Sequence, residues 1–144
     1  MDNATTAKKY AEALESKDLH ATARLLDPNV VVHYPQSGEV FRGRDNYITM
    51  LSNHPGLPEA NVPKVSGDSG SVHVSTSVPF GMPIVSIAGS GDVWIVEGSV
   101  EYGDGSRFDV VAVLEMSDGL VVEETWYWAA PFEAPSWRLP YVSE

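Results

Sequence analysis

The chain has 144 residues and a mass of 15.6 kDa, the size of one domain that can bury a sizeable core. It carries 9 basic and 20 acidic residues, and a net charge of −11 repels nucleic acid phosphates and anionic lipids. The absence of cysteine excludes disulfides, thiolate metal sites and cysteine nucleophiles. The polar N-terminus and the lack of a long apolar window predict a cytoplasmic protein with no nucleic acid or membrane partner.

Helical periodicity dominates the first third of the chain. Apolar residues recur at helical spacing after Asn3, and Asp18 can cap a second, shorter helix that Pro28 stops. A β-branched run ended by Pro35 indicates a strand between the second and third helices. The predicted order is a helix over 3–17, a helix over 19–26, a strand over 30–34, a loop over 38–43 and a helix over 44–53.

The rest of the chain has the alternation and turns of a β-meander. Four strands are predicted, over 72–78, 93–102, 108–116 and 120–129. The turns between them contain Gly and Asp, such as Asp118-Gly119, and favour antiparallel hairpins. Helices followed by such a meander predict a single α+β domain over residues 1–144, with helices covering one face of a sheet.

The last strand and the tail after it carry the most unusual residues. Alternation places Glu124 on one strand face with Val122, Trp126 and Trp128. Residues 130–144 combine three prolines with aromatic side chains, which excludes a helix interior or a central strand and favours burial of the rings. We expect this tail to form a strap over an apolar surface.

The hairpin around Gly103-Asp104-Gly105 has two open registers. A two-residue turn pairs Glu97 with Ala112 and puts a second carboxylate in the interior. A three-residue loop pairs Gly98 with Ala112 and turns Trp94 and its alternate neighbours inward instead. The second register buries more apolar surface on one face and is favoured.

Several segments resemble a known family. They are His33-Tyr34-Pro35, Phe41-Arg42-Gly43-Arg44-Asp45, the run from Gly89 to Trp94 and the run from Pro131 to Arg138. Together with the order of helices and hairpins, they resemble an uncharacterised bacterial subgroup of the SnoaL-like branch of the nuclear transport factor 2-like superfamily. The resemblance implies a cone-shaped roll, in which three N-terminal helices pack on a curved antiparallel or mixed sheet around an apolar pocket. It also implies a homodimer through the sheet, for which Ile95, Val111 and Val113 would supply apolar area.

Two reactions known in this superfamily can be tested residue by residue. Ketosteroid isomerases use a carboxylate base, a tyrosine and a protonated aspartate. Tyr10 matches the tyrosine, but the resemblance puts Tyr34 at the base position and Ala112 at the aspartate position. Epoxide hydrolases of this fold need an Asp-Arg-Asp cluster in the pocket, and no predicted strand interior carries an arginine. Both reactions are therefore rejected.

Three residues are candidates for acid/base catalysis. Glu124, between apolar neighbours, would be desolvated, which raises a carboxyl pKa towards the range useful for proton transfer, and Tyr10 would lie beside it. The alternative is that Glu124 lies on the outer face, solvated or at a dimer rim. His33 is the other candidate, because the imidazole is the side chain best suited to acid/base roles at physiological pH, although alternation places it opposite Tyr34. The four histidines, at 20, 33, 54 and 73, lack metal-ligand spacing, so no metal site is expected.

The pocket predicted from this sequence is apolar and aromatic. The expected substrate-binding residues are Tyr34, Tyr47, Met50, Trp94, Phe108, Trp126 and Trp128, and Phe80 is a further candidate. The leading hypothesis is a lyase, isomerase or cyclase without a cofactor that acts on a hydrophobic, carbonyl-bearing or polycyclic small molecule. The alternative is a non-catalytic small-molecule binder or a structural dimer.

Overall fold

The computed structural model describes residues 1–53, 64–65, 72–73, 84–102 and 104–143. Its helices are α1 (Asn3–Ser16), α2 (Leu19–Arg24) and α3 (Arg44–Ser52), followed near the C-terminus by a 3-10 helix (Ser136–Tyr141). Its strands are β1 (Leu26–Tyr34), β2 (Glu39–Arg42), β3 (Lys64–Val65), β4 (Val72–His73), β5 (Ile84–Ser90), β6 (Val93–Glu101), β7 (Arg107–Ser117) and β8 (Leu120–Ala129). No helix in these ranges is long and apolar enough to cross a bilayer.

The caps of the first two helices follow from their sequence. Asp2 accepts a hydrogen bond from the Thr5 backbone N–H at 2.7 Å and begins α1. Lys17, with φ of 60°, ends α1 in the left-handed conformation. Asp18 then accepts from the Ala21 N–H at 2.9 Å, which confirms it as the cap of α2. The two helices thus form a tight pair.

A six-stranded mixed sheet is the centre of the fold. Its strand order is β2-β1-β8-β7-β6-β5, and β1 and β8 are parallel while the other neighbouring pairs are antiparallel. The buried core contains side chains from α1 and α3 and from one face of the sheet, including Tyr10, Tyr47, Val32 and Leu114. These features confirm the predicted α+β class with helices on one face.

Three strands were not predicted: β2, the two-residue strand β3 and β5. Residues 39–42, expected as a loop, form β2 because the chain turns back after β1. Gly38, with φ of 79°, donates to the Tyr34 carbonyl at 2.9 Å, and the returning residues pair with β1. The edge strand β5 contains small residues such as Gly89 and lacks a clear alternating pattern.

The hairpin between β6 and β7 has neither predicted register. Val96 pairs with Ala112 and Glu97 pairs with Val111, so the favoured pairing was wrong by two residues. The Tyr102 N–H donates to the Ser106 carbonyl at 2.9 Å, so the hairpin closes one residue earlier in the chain than the favoured register requires. A shift of two residues leaves each side chain on its own face. Trp94 and its alternate neighbours on β6 therefore face inward, as the favoured register predicted, and Glu97 is exposed rather than in the interior.

The C-terminal tail differs from the expectation of buried rings. Phe132, Trp137 and Tyr141 are 80%, 72% and 81% exposed in the single chain. The prolines stop the tail from continuing β8, and it ends in the 3-10 helix instead. The burial expected for these rings was wrong for the single chain. Phe80 and most of the predicted strand over 72–78 lie outside the described residues.

Candidate functional site

Glu124 lies at the centre of the helix-covered face of the sheet. Its strand neighbours in register are Val32 on β1 and Leu114 on β7, and all three residues are fully buried. The alternation of β8 therefore places Glu124 inward, and the alternative of a solvated Glu124 on the outer face is wrong. A buried carboxyl needs hydrogen-bond donors or a cation to compensate for lost water.

Two neutral donors hold the Glu124 carboxyl. The Tyr10 hydroxyl donates to Oε2 at 2.6 Å, and the Trp126 indole Nε1 donates to Oε1 at 2.7 Å. Tyr10 reaches this point because Thr6, one turn earlier on α1, donates its hydroxyl to the Gly119 carbonyl at 2.6 Å. That contact fixes α1 against the turn between β7 and β8. The predicted meeting of Glu124 and Tyr10 is thus present in the geometry.

Burial controls the ionisation of this group. Desolvation raises the pKa of Glu124 above its ordinary value of 4.5, although the hydrogen bonds from Tyr10 and Trp126 lower it in part. Desolvation also raises the pKa of Tyr10 well above 10.0, and the nearby charge of Glu124 adds to this. In the described part of the chain, no basic side chain forms an ion pair with Glu124. The carboxyl is therefore easier to protonate than a solvated one.

A small inner cavity of about 40 Å³ lies beside the Glu124 cluster. It has room for a water molecule or a small chemical group, but it is far below the size of a ligand pocket. Tyr10 and Trp126 line it, whereas Glu124 itself lies behind them. The full lining is Tyr10, Ala13, Leu14, Lys17, Asp18, Leu19, Thr22, Tyr34, Tyr47, Leu51, Trp126 and Trp128.

A larger outer cavity of about 420 Å³ adjoins the inner one. Its volume lies within the range of small-molecule sites, roughly 300–1,000 Å³. Tyr34, Leu51 and Trp128 line both cavities and form the wall between them. The other lining residues of the outer cavity are Gln36, Ser37, Glu39, Met50, Tyr102 and Phe108. The outer cavity could hold the body of a ligand whose end reaches towards the inner one.

Polar atoms of Tyr34 and Trp128 are found at this shared wall, and the hydroxyl of Tyr47 bonds to Tyr34 from the lining of the inner cavity. The Tyr34 and Tyr47 hydroxyl oxygens are 3.1 Å apart and share a hydrogen bond. The Trp128 ring lies edge-on to Tyr34, with centroids 5.9 Å apart, and stacks on Trp126 at 5.5 Å. Within the described residues, the buried Trp128 Nε1 has no hydrogen-bond partner.

The structure brings most of the predicted site residues together. Eight of them line a cavity or bond to a residue that does: Glu124, Tyr10, Tyr34, Tyr47, Met50, Phe108, Trp126 and Trp128. Trp94 lines neither cavity and donates its indole N–H to the Gly91 carbonyl at 3.1 Å. Trp94 is in register with Leu114 and is therefore at the level of Glu124 along the sheet, but β7 separates it from β8 and it lies beside the edge strand β5. The structure therefore does not bring Trp94 into the pocket where it was predicted.

His33 is not part of the candidate site. It is on the outer face of the sheet, where its Nε2 is 3.3 Å from Glu123 Oε1. Because Tyr34 points inward, strand alternation turns His33 outward, as the alternation in the sequence predicted. The structure therefore does not bring His33 together with Glu124, and the catalytic role predicted for it stays a prediction. No cluster of three His, Asp or Glu side chains able to hold a metal occurs within the residues that the structure describes.

The loop after β1 contributes site residues that sequence reasoning missed. Gln36 accepts a hydrogen bond from the Trp128 backbone N–H through its side-chain oxygen. Ser37 donates its hydroxyl to Glu39 at 2.6 Å at the mouth of the outer cavity. These positions follow Pro35 and have no periodic pattern, so only the pairing of β2 with β1 reveals where they lie.

Comparisons with known proteins agree with this architecture. A family described as a SnoaL-like domain matches residues 7–77. An NTF-2 like protein of unknown function from Burkholderia xenovorans is 30% identical, with a TM-score of 0.74 over 98% of this chain and 93% of that one. No curated protein matches the sequence.

Two more distant structures share the fold. One, from Kribbella flavida, is described as a candidate ketosteroid isomerase and is 24% identical, with a TM-score of 0.75 over 97% of this chain and 87% of that one. The other is an LEH-like epoxide hydrolase of M. tuberculosis, 19% identical, with a TM-score of 0.61 over 86% of this chain and 80% of that one. At these identities the likeness shows the fold alone.

Proposed function

The chain belongs to the SnoaL-like branch of the NTF2-like superfamily, and we propose that it catalyses proton transfer on a hydrophobic small molecule. The reaction class is that of an isomerase, lyase or cyclase that needs no cofactor. The ligand body would occupy the outer cavity and its reacting end would enter the inner one. Glu124 and Tyr10 would act together as the acid/base unit.

One observation carries this proposal. Glu124 is fully buried next to a cavity, is held by Tyr10 and Trp126, and has no basic partner in the described residues. Burying a carboxyl without a cation costs stability, and such groups are enriched at functional sites. An apolar residue at this position would pack without that cost.

The proton path follows from the lining of the inner cavity. Tyr10 contacts the cavity and Glu124 lies behind it, so a substrate proton would first meet the Tyr10 oxygen. As that proton arrives, the Tyr10 proton passes to Glu124 Oε2. The product is a neutral carboxyl and an intact tyrosine, and burial favours both forms. The reverse sequence would return a proton to a different atom of the substrate.

The reactions named for the two distant relatives are not adopted for this chain. Tyr34 stands where a ketosteroid isomerase base would lie, and Ala112 is buried opposite Trp126 where its aspartate would lie. On the described strands, Arg42 and Arg107 are near strand ends and exposed, which does not form the Asp-Arg-Asp cluster of an epoxide hydrolase.

Deuterium exchange into a simple ketone tests the proposal before the natural substrate is known. The probe is 4-phenyl-2-butanone in D₂O, with loss of its α-proton signals followed by NMR. We expect the protein to accelerate exchange and Glu124→Gln to reduce that acceleration about a hundredfold or more, the usual contribution of a general acid/base. Glu123→Gln, the adjacent carboxylate on the outer face, is the matched control and should keep the activity.

The second candidate function is a non-catalytic binder, and one feature favours it. Both Glu124 oxygens already accept a protein hydrogen bond, and the side chain does not line the cavity. In that case the cluster would serve only to join α1 to β8. Exchange that is equal in Glu124→Gln, Glu123→Gln and the natural chain would leave the binder as the function.

A further inference from the structure

One hydroxyl proton of the Tyr34–Tyr47 pair, next to the wall between the two cavities, has no acceptor among the described residues. The hydroxyls of Tyr34 and Tyr47 carry two protons, and only one lies in the hydrogen bond between them. Neither hydroxyl has a second hydrogen bond among the described residues. Both side chains line the inner cavity, so the remaining O–H can be offered to a group that enters there.

Trp128 supplies a second unused donor at the same wall. Its Nε1 is buried and lacks a partner in the described part of the chain, while its ring lines both cavities. Two other indoles on the sheet are satisfied: Trp126 donates to Glu124, and Trp94 donates to Gly91. A buried donor without an acceptor costs roughly 1–3 kcal/mol, so Trp128 is an exception that a ligand could explain.

We propose that the Tyr34–Tyr47 hydroxyl pair and the Trp128 N–H together bind one oxygen acceptor of a neutral ligand. This deepens the proposed function, on which it rests, by assigning the ligand class and its orientation. The acceptor oxygen would sit at the shared wall, with the apolar body in the outer cavity against Met50 and Phe108.

The charges around the site select against ionic ligands. Glu39 at the mouth of the outer cavity and the net charge of −11 disfavour an anion. A cationic end group would leave the Trp128 N–H without an acceptor, because it has none to offer. Burial raises the pKa of Tyr34 and of Tyr47 above 10.0, so both hydroxyls remain donors at neutral pH. A neutral ketone, ester, amide or ether oxygen fits these conditions.

A matched pair of probes tests the inference by binding alone. The probes are 4-phenyl-2-butanone and butylbenzene, which have similar shape but only one of which has an acceptor oxygen. We expect the natural chain to bind the ketone about tenfold more tightly, the effect of one buried hydrogen bond. Equal affinities, or no binding of the ketone, would overturn the inference.

Variants of the proposed donors test whether these groups cause the preference for the ketone. Trp128→Phe and the double variant Tyr34→Phe/Tyr47→Phe should each lower the ketone preference several-fold. Tyr127→Phe removes a hydroxyl on the outer face of the sheet and should leave the preference unchanged. A full preference in both donor variants would also overturn the inference.

An NMR readout on the natural chain does not depend on how the variants fold. The Trp128 indole proton should move downfield when the ketone binds and stay in place with butylbenzene, since only the ketone supplies an acceptor. The Trp126 indole proton, already bonded to Glu124, serves as the internal reference. Ketone binding with no shift of the Trp128 signal would contradict the inference.

The experiments can contradict either proposal while the other one stands. If Glu124→Gln keeps full deuterium exchange while the ketone preference persists, proton transfer by Glu124 is wrong and the donor site stands. If exchange depends on Glu124 but ketone and hydrocarbon bind equally, the donor site is wrong and the catalytic proposal stands.

Discussion

The Tyr10 hydroxyl lies 2.6 Å from Glu124 Oε2 and so joins the first helix to the last strand across 114 positions of sequence. The contact is fully buried, and the Trp126 indole completes it from the same strand face. One small cluster therefore contributes to the packing of the fold and occupies the inner end of its cavities.

Removing the Tyr10 hydroxyl should destabilise the fold. Tyr10→Phe leaves Glu124 Oε2 without a donor in a buried site, and we expect the free energy of unfolding to fall by about 1–3 kcal/mol. Tyr141→Phe, at a side chain that is 81% exposed in the C-terminal tail, should change it by less than about 0.5 kcal/mol. Urea denaturation of both variants measures this, and equal losses would show that the contact does not stabilise the fold.

The pH dependence of stability should reveal the buried carboxyl. The folded pKa of Glu124 is raised above 4.5, so between 4.5 and the folded pKa the folded state binds more protons than the unfolded state. The stability contributed by this group therefore rises as the pH falls through that window and is lost as the pH rises. The effect is about 1.4 kcal/mol for each unit by which the pKa is raised.

Glu124→Gln provides the reference for this measurement. Compared with the variant, the natural chain should lose unfolding free energy as the pH rises through the folded pKa of Glu124. Denaturation at a series of pH values tests this. A difference that is independent of pH would mean that the pKa of Glu124 is the same in the folded and unfolded states.

The outer face of the sheet should form a homodimer. Ile95 and Tyr127 are 44% and 46% exposed on this face, next to the half-buried Val111 and Val113. Such apolar area commonly marks an interface between copies. We expect Ile95→Glu to shift a dimer to monomer in light scattering, whereas Ala4→Glu, at an exposed position of α1, should not. A natural chain that is already monomeric at micromolar concentration would contradict this prediction.

The alternation of residues along β8 was enough to predict which side chains form the centre of the site. It placed Glu124, Trp126 and Trp128 on one face of β8, and helical spacing turned Tyr10 towards the sheet. Asp118 and Gly119, with φ of 52° and 78°, form the turn that their sequence predicted. Local patterns of this kind depend on the residues themselves, so they can be seen without the rest of the fold.

Features that depend on distant pairing could not be predicted in the same way. The strand β2 forms only because its backbone finds the edge of β1, and its residues have no strong β-pattern of their own. The residue at which the loop after Glu101 begins sets the register of β6 and β7, and the Gly-Asp-Gly sequence allowed more than one starting point. Trp94 shares the inward face with Val96, yet it is outside the cavities because β6 lies two strands from β8, next to the edge strand β5.

A carboxyl titration of Glu124 tests the central claim most directly. The protein carries ¹³C-labelled glutamate, and the signal that disappears in Glu124→Gln identifies the residue. We predict a pKa above 4.5 for Glu124 and a protein-catalysed ketone exchange rate that rises with pH through that same pKa, because the ionised carboxyl is the form that accepts the proton. A Glu124 pKa at or below 4.5, together with exchange that Glu124→Gln leaves unchanged, would contradict the account.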